Sequence, residues 1–173
     1  YYTYLSSRTP STLAKRGHNK AGKHYLRQVG LALITERSSC MPVYASLYPG
    51  NQHDSRFFRL HLDEIVARLR SAGTAPGDIT LIFDKGMNAE EAIQRIDGDE
   101  KLHFITSYSP YFALELAAVP LSQFQPLPCE VNDRLLAAGQ AKDQILYHET
   151  TASFWGRERK VVMTFNPRTF RKK

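Results

Sequence analysis

At 173 residues the chain holds about one domain's worth of sequence, and 42% hydrophobic with 23% charged residues can build one sizeable core, which excludes disordered, collagen-like and coiled-coil classes. The net charge of +6 hides an uneven distribution: residues 1–27 hold six Lys/Arg and no acid, residues 155–173 hold seven Lys/Arg and one Glu, and the stretch between them is net acidic. Clustered cations attract phosphate backbones, although many globular domains carry basic ends without such a role.

Residues 1–5 are aromatic and Thr-containing, which suits a strand or its end. Residues 6–23 carry turn chemistry, with Pro10, Gly17, Asn19 and Gly22 set among Lys15, Arg16, Lys20 and Lys23, and read as a basic loop. Two apolar runs, 26–35 and 43–48, are joined by a short polar link at Arg37-Ser38-Ser39 and predict a hairpin. Pro49-Gly50-Asn51 ends it, and Asp54 or a near neighbour is expected to cap the next helix, in which Phe58, Leu62, Ile65 and Leu69 share one face while Arg59, Arg68 and Arg70 take others.

Residues 73–77 break that helix. Ile79-Thr80-Leu81-Ile82-Phe83 follows as a run typical of strands buried on both faces, and ends at Asp84-Lys85-Gly86. Asn88 with Glu91 resembles a capping box opening a helix over 89–96, with Ala92, Ile93 and Ile96 inward. A strand over 102–106 closes the first part, giving a mixed α/β order. Beyond Pro110 come weakly helical pieces at 111–118 and 132–138, then β-rich runs at 145–154 and 160–165 with Gly156-Arg157-Glu158 as the hairpin turn. The division expected is 1–109 and 110–173.

Cys40 and Cys129 are far apart and lack C-x-x-C spacing, so neither a disulfide framework nor a zinc site is indicated and a reducing cytosol is the expected compartment. No apolar run has membrane-span length and no signal peptide is visible. The chain opens without an initiator methionine in strand-like sequence and stops on Arg171-Lys172-Lys173, as expected of an interior piece of a longer protein. The six histidines, His18, His24, His53, His61, His103 and His148, show no zinc-binding helical spacing, and neither G-x-S-x-G nor a P-loop occurs.

Asp84 is the main candidate for chemistry. A carboxylate at the carboxyl end of a buried strand sits where α/β sheets place ligands. Gly86 permits close approach of another group, and a helix start nearby adds a positive dipole end, a setting suited to a divalent metal. The alternative is that Asp84 is a turn or cap residue. Lys15-Arg16-Gly17-His18-Asn19-Lys20 offers cations and backbone N–H groups to phosphates, or is a solvated loop; Arg157, Arg159 and Lys160 have the same two readings.

Four segments occur in order: Leu13-Ala14-Lys15-Arg16-Gly17-His18-Asn19-Lys20, Leu26-Arg27-Gln28-Val29-Gly30-Leu31-Ala32-Leu33, Tyr48-Pro49-Gly50-Asn51 with Asp54, and Leu81-Ile82-Phe83-Asp84-Lys85-Gly86-Met87. This series resembles bacterial insertion-sequence transposases of the DDE type, in the broad group with a β-rich insertion inside the catalytic domain. The resemblance implies an RNase H-like mixed sheet flanked by helices, with its first strand truncated here and the β-rich insertion at the carboxyl end.

It also implies a metal-dependent nuclease and strand transferase with two Asp and one Glu holding Mg2+ or Mn2+, of which Asp84 is the second. The first Asp would lie upstream of residues 1–4. The Glu lies on a helix beyond the insertion, and Glu149 and Glu158 fall in β-rich sequence that does not match it. A fragment with one of three ligands is expected to bind metal weakly and to be inactive alone, whereas the intact enzyme would act as a homodimer in the bacterial cytoplasm, on transposon ends and target DNA. Lys15, Arg16, Lys20, Lys85, Arg157, Arg159 and Lys160 are the candidate DNA contacts. The alternative is a non-catalytic DNA-binding remnant of a decayed gene.

Overall fold

Apolar runs with period-two burial organise the first sheet. In the computed structural model, which describes residues 2–6, 10–18, 22–72, 77–109, 111 and 113–171, it contains β1 (Tyr2–Ser6), β2 (Lys15–Arg16), β3 (Arg27–Thr35) and β4 (Pro42–Pro49), all antiparallel. The β3–β4 hairpin forms as its sequence predicts. The basic segment is not loop throughout: Lys15 and Arg16 pair with Gln28 and Arg27. β1 also pairs with residues 27 and 28, so β1 and β2 occupy opposite edges of β3, and β2 takes up the edge that β4 leaves at Pro49.

Helix α1 (Asp54–Ser71) buries Phe57, Phe58, Leu62, Ile65 and Val66, with Leu69 partly buried against the same cluster. Its capping differs from expectation. His53 is the N-cap and makes no side-chain cap hydrogen bond, while the Asp54 carboxylate accepts from the Tyr48 hydroxyl at 2.9 Å. A tertiary partner takes the carboxylate that local rules assign to the helix end. Tyr48 also stacks on Phe57, ring centres 4.5 Å apart, which ties β4 to α1.

β5 (Ile79–Phe83) and β6 (Leu102–Thr106) are parallel, joined through α2 (Glu90–Asp97), in which Ala92, Ile93 and Ile96 are buried as the period predicts. Burying each of the two isoleucines contributes about 1.5–3 kcal/mol. β5 is not buried on both faces, however: Leu81 is buried whereas Ile82 is 60% exposed, as is its β6 neighbour Ile105 at 54%. The core lies on one side only, where Leu81 and Leu102 meet α1 and α2. Among the described residues the single sheet implied by the resemblance is present as two hydrogen-bonded pieces, and a shared core rather than a ladder unites them.

The expected capping box at Asn88 also gives way. Ala89 is the N-cap of α2, without a side-chain cap bond, and Asn88 instead bonds to the end of β6.

The chain divides into two compact units, Tyr1–Ser107 and Tyr108–Lys173. The second contains α3 (Leu114–Ala117), β7 (Gln125–Pro126), α4 (Glu130–Ala137), β8 (Leu146–Phe154), β9 (Arg157–Phe165) and α5 (Pro167–Arg171). The β8–β9 turn is Trp155-Gly156, both with positive φ (51° and 74°), the signature of a two-residue type I′ turn. Arg157 and Glu158, expected in the turn, therefore begin β9. Asn132 is the polar centre of this unit: it is 2% exposed, donates to the carbonyls of Leu127 and Ile145, and accepts from the Ile145 N–H.

Candidate functional site

The parallel register sets Phe83 opposite Thr106, so the chain leaves the two strands side by side at Asp84 and Ser107. Asp84 is exposed. Its Oδ1 accepts from the Lys85 N–H at 2.6 Å and from the Ser107 hydroxyl at 3.2 Å. Lys85 N–H also reaches Ser107 Oγ at 3.2 Å. Asn88 holds the neighbouring backbone: its Oδ1 accepts from the Thr106 hydroxyl at 2.7 Å and its Nδ2 donates to the Ser107 carbonyl at 3.1 Å.

The turn-and-cap reading of Asp84 is met by one of its two carboxylate oxygens. Oδ1 caps the 3-10 turn Lys85–Met87, and Oδ2 has no hydrogen bond among the described residues. A carboxylate held by one oxygen is oriented for a cation at the other. That orientation comes from two donors; the start of α2 lies further on, at Glu90, beyond the 3-10 turn. Carboxylate oxygen is a hard ligand that suits Mg2+ or Mn2+, and Mg2+ is commonly held by one or two carboxylates while retaining water. No group of three or more His, Cys, Asp or Glu side chains is placed to hold a metal among the described residues.

Ser107, Thr106 and the true role of Asn88 escape a reading by motifs. The signal was present in the lengths of the strands. Two five-residue apolar runs in parallel, 79–83 and 102–106, bring the residues that follow them into register.

The Gly17, Gln28 and Gly50 positions, spread over three motif segments, converge in one junction. Gln28 is 1% exposed and its Nε2 donates to the carbonyls of Gly50 at 2.6 Å and His18 at 3.0 Å. Gly50 N–H donates to the Leu13 carbonyl at 3.1 Å. A Cβ on Gly17 would stand 2.2 Å from the Gly50 carbonyl oxygen, so only glycine permits this approach. The motif is thus structural at its centre and presents Lys15 and Arg16, both exposed, at its rim.

The other candidate cations are dispersed. Lys85 is exposed beside Asp84. Lys20 lies outside the described residues. Arg157 and Arg159 alternate with Lys160 along β9, so the first two share one face and Lys160 takes the other. Lys160 Nζ lies 2.9 Å from Glu149 on β8, and that partner raises its pKa above the usual lysine value. At the carboxyl end Arg171 and Arg168 both reach Asp143, and their hydrogen bonds lower its pKa from the usual carboxylate value. Part of the basic end is therefore neutralised locally. No helix among the described residues is long and apolar enough to cross a membrane.

The sequence matches a protein family described as "Transposase DDE domain" over residues 6–160, a span that contains Asp84, the glycine junction and most of the β8–β9 hairpin. Comparison with curated proteins and with solved structures returns no match.

Proposed function

The chain belongs to the transposase DDE domain family, and from that premise we propose that Asp84 is one of the acidic residues through which the domain holds Mg2+ or Mn2+ for DNA cleavage and strand transfer in insertion-sequence transposition. The observation that carries this reading is the arrangement at the carboxyl ends of β5 and β6, where Lys85 N–H and Ser107 Oγ–H both hold Asp84 Oδ1. When bound, a divalent metal would supply activation of an attacking oxygen and charge stabilisation for a leaving oxygen at phosphorus. Asp84 would supply a ligand oxygen, Ser107 and the Lys85 amide would keep its plane, and Lys85 Nζ would face the substrate phosphates. The proposed frame is an RNase H-like core over 1–109 followed by an insertion over 110–173, acting as a homodimer in the intact bacterial protein. Lys15, Arg16, Lys20, Arg157, Arg159 and Lys160 are its proposed DNA contacts.

A single carboxylate binds such an ion weakly, so the chain alone is expected to be inactive but to retain measurable metal affinity. Mn2+ titration followed by electron paramagnetic resonance tests this. Asp84→Asn is expected to remove the binding. Ser107→Ala removes one oriented hydrogen bond, about 1 kcal/mol, and is expected to weaken binding roughly fivefold, with Ser107→Thr restoring it. Undiminished Mn2+ affinity in Asp84→Asn would overturn the assignment of Asp84; if that variant loses binding but Ser107→Ala does not, only the positioning role of Ser107 is lost.

A further inference from the structure

We propose that the crossing of β2 and β3 is a clamp for a backbone phosphate of duplex DNA, with Arg27 as a contact residue alongside Lys15 and Arg16; this rests on DNA being the substrate of the domain. The register places Arg16 directly opposite Arg27 across an antiparallel pair. Like charges in that position destabilise a sheet, and a two-residue strand offers little ladder energy to offset them. Other contacts hold β2 in place. Gln28 fastens His18 and Gly50, Gly50 fastens Leu13, and Gly17 sits against the Gly50 backbone.

The result is a set of cations on a rigid support. Ser11, Ala14, Lys15, Arg16 and Arg27 line one shallow hollow, with Ala14 buried to 4% exposure and the three cationic residues exposed. Because the backbone is already ordered, an anion entering the hollow incurs little further conformational cost. Two guanidiniums present paired N–H donors, the geometry that meets the two free oxygens of a phosphodiester. A sequence reading sees Lys15 and Arg16 as neighbours in a basic loop; Arg27 joins them only through strand pairing.

The test compares Arg27→Gln with Arg37→Gln, which removes an equal charge from the exposed β3–β4 turn. Binding of a short labelled duplex of mixed sequence is followed by fluorescence anisotropy over a range of salt, with thermal melting of each variant. Arg27→Gln, and likewise Arg16→Gln, is expected to weaken binding about five- to tenfold and to reduce the slope of log affinity against log salt by about 0.9. Their melting temperatures should stay within a few degrees of that of the unaltered chain, as expected of substitutions at exposed positions. Arg37→Gln should stay within about twofold. Equal weakening by Arg27→Gln and Arg37→Gln overturns the clamp alone, and failure of the unaltered chain to bind duplex overturns both the clamp and the DNA contacts on which it rests.

Discussion

Replacing Gly50 by alanine is expected to destabilise the first unit by about 3 kcal/mol or more, because overpacking and lost hydrogen bonds act together. A Cβ there would lie 1.9 Å from the Gln28 carbonyl oxygen and 2.5 Å from its carbon. Both are backbone atoms in the central strand of the sheet, so no rotamer change relieves the clash. Displacing Gly50 also pulls its carbonyl from the buried Gln28 amide and its N–H from Leu13. At roughly 4–8 °C per kcal/mol for a unit of about this size the melting temperature should fall by about 12–24 °C. Gly86→Ala is the control: nothing lies within 4 Å of the added Cβ, and a change of less than about 1 kcal/mol is expected. Equal melting temperatures for the two variants would mean that the junction is not close-packed. Since the same junction holds β2, Gly50→Ala should also weaken duplex binding.

Asn132→Ala is expected to unfold the second unit selectively. Its side chain makes three hydrogen bonds of 2.7–2.8 Å to backbone groups that bracket α4, and truncation takes the partner from the Leu127 carbonyl and the Ile145 N–H, while the Ile145 carbonyl keeps the Leu127 N–H. Each unsatisfied buried group costs about 1–3 kcal/mol, so a total of roughly 3 kcal/mol or more is expected. Only Leu135 and Asn132 are buried among the described residues of this unit, so little apolar packing opposes the loss. Trp155, the sole tryptophan of the chain, lies in the β8–β9 turn with its ring 5.6 Å from Tyr108 and 5.8 Å from Phe154, and its emission reports this unit. In Asn132→Ala the emission should shift to the red at lower temperature, and Asn132→Asp, which keeps the acceptor but loses both donations, should also melt early. An unchanged Trp155 transition in both variants would remove Asn132 from this role.

Asn132 illustrates which information is local and which is not. In sequence it is an ordinary residue at the start of a weakly helical piece, and nothing nearby announces that residues 127 and 145 will close around it. The same holds for Gln28, a polar residue in an apolar strand, whose partners lie 10 and 22 positions away. By contrast Phe58, Leu62 and Ile65, or Ala92, Ile93 and Ile96, follow the helical period and reach the core because amphipathic spacing alone selects a buried face. The caps at Asp54 and Asn88 fail as local inferences for one reason: each side chain has a tertiary partner, Tyr48 in one case and Thr106 in the other, that competes with the helix end. The turn at Trp155-Gly156 is missed because a bulky residue at positive φ contradicts turn propensity, although glycine occupies the second position as expected.

For the site, chain order and strand length place Asp84 at the end of β5, since an apolar run followed by a charged turn marks the strand's carboxyl end. The family, too, was legible in the ordered motif segments, and the match over residues 6–160 agrees with it. What only the tertiary structure decided is which side chains meet. Parallel pairing brings Ser107 to Asp84, antiparallel pairing brings Arg27 to Arg16, and the glycine junction turns a basic segment into a rigid one. The physical reason is range: periodicity and turn chemistry act over a few residues, whereas registers and long-range hydrogen bonds join positions 11 to 23 residues apart and exist only once the core has formed.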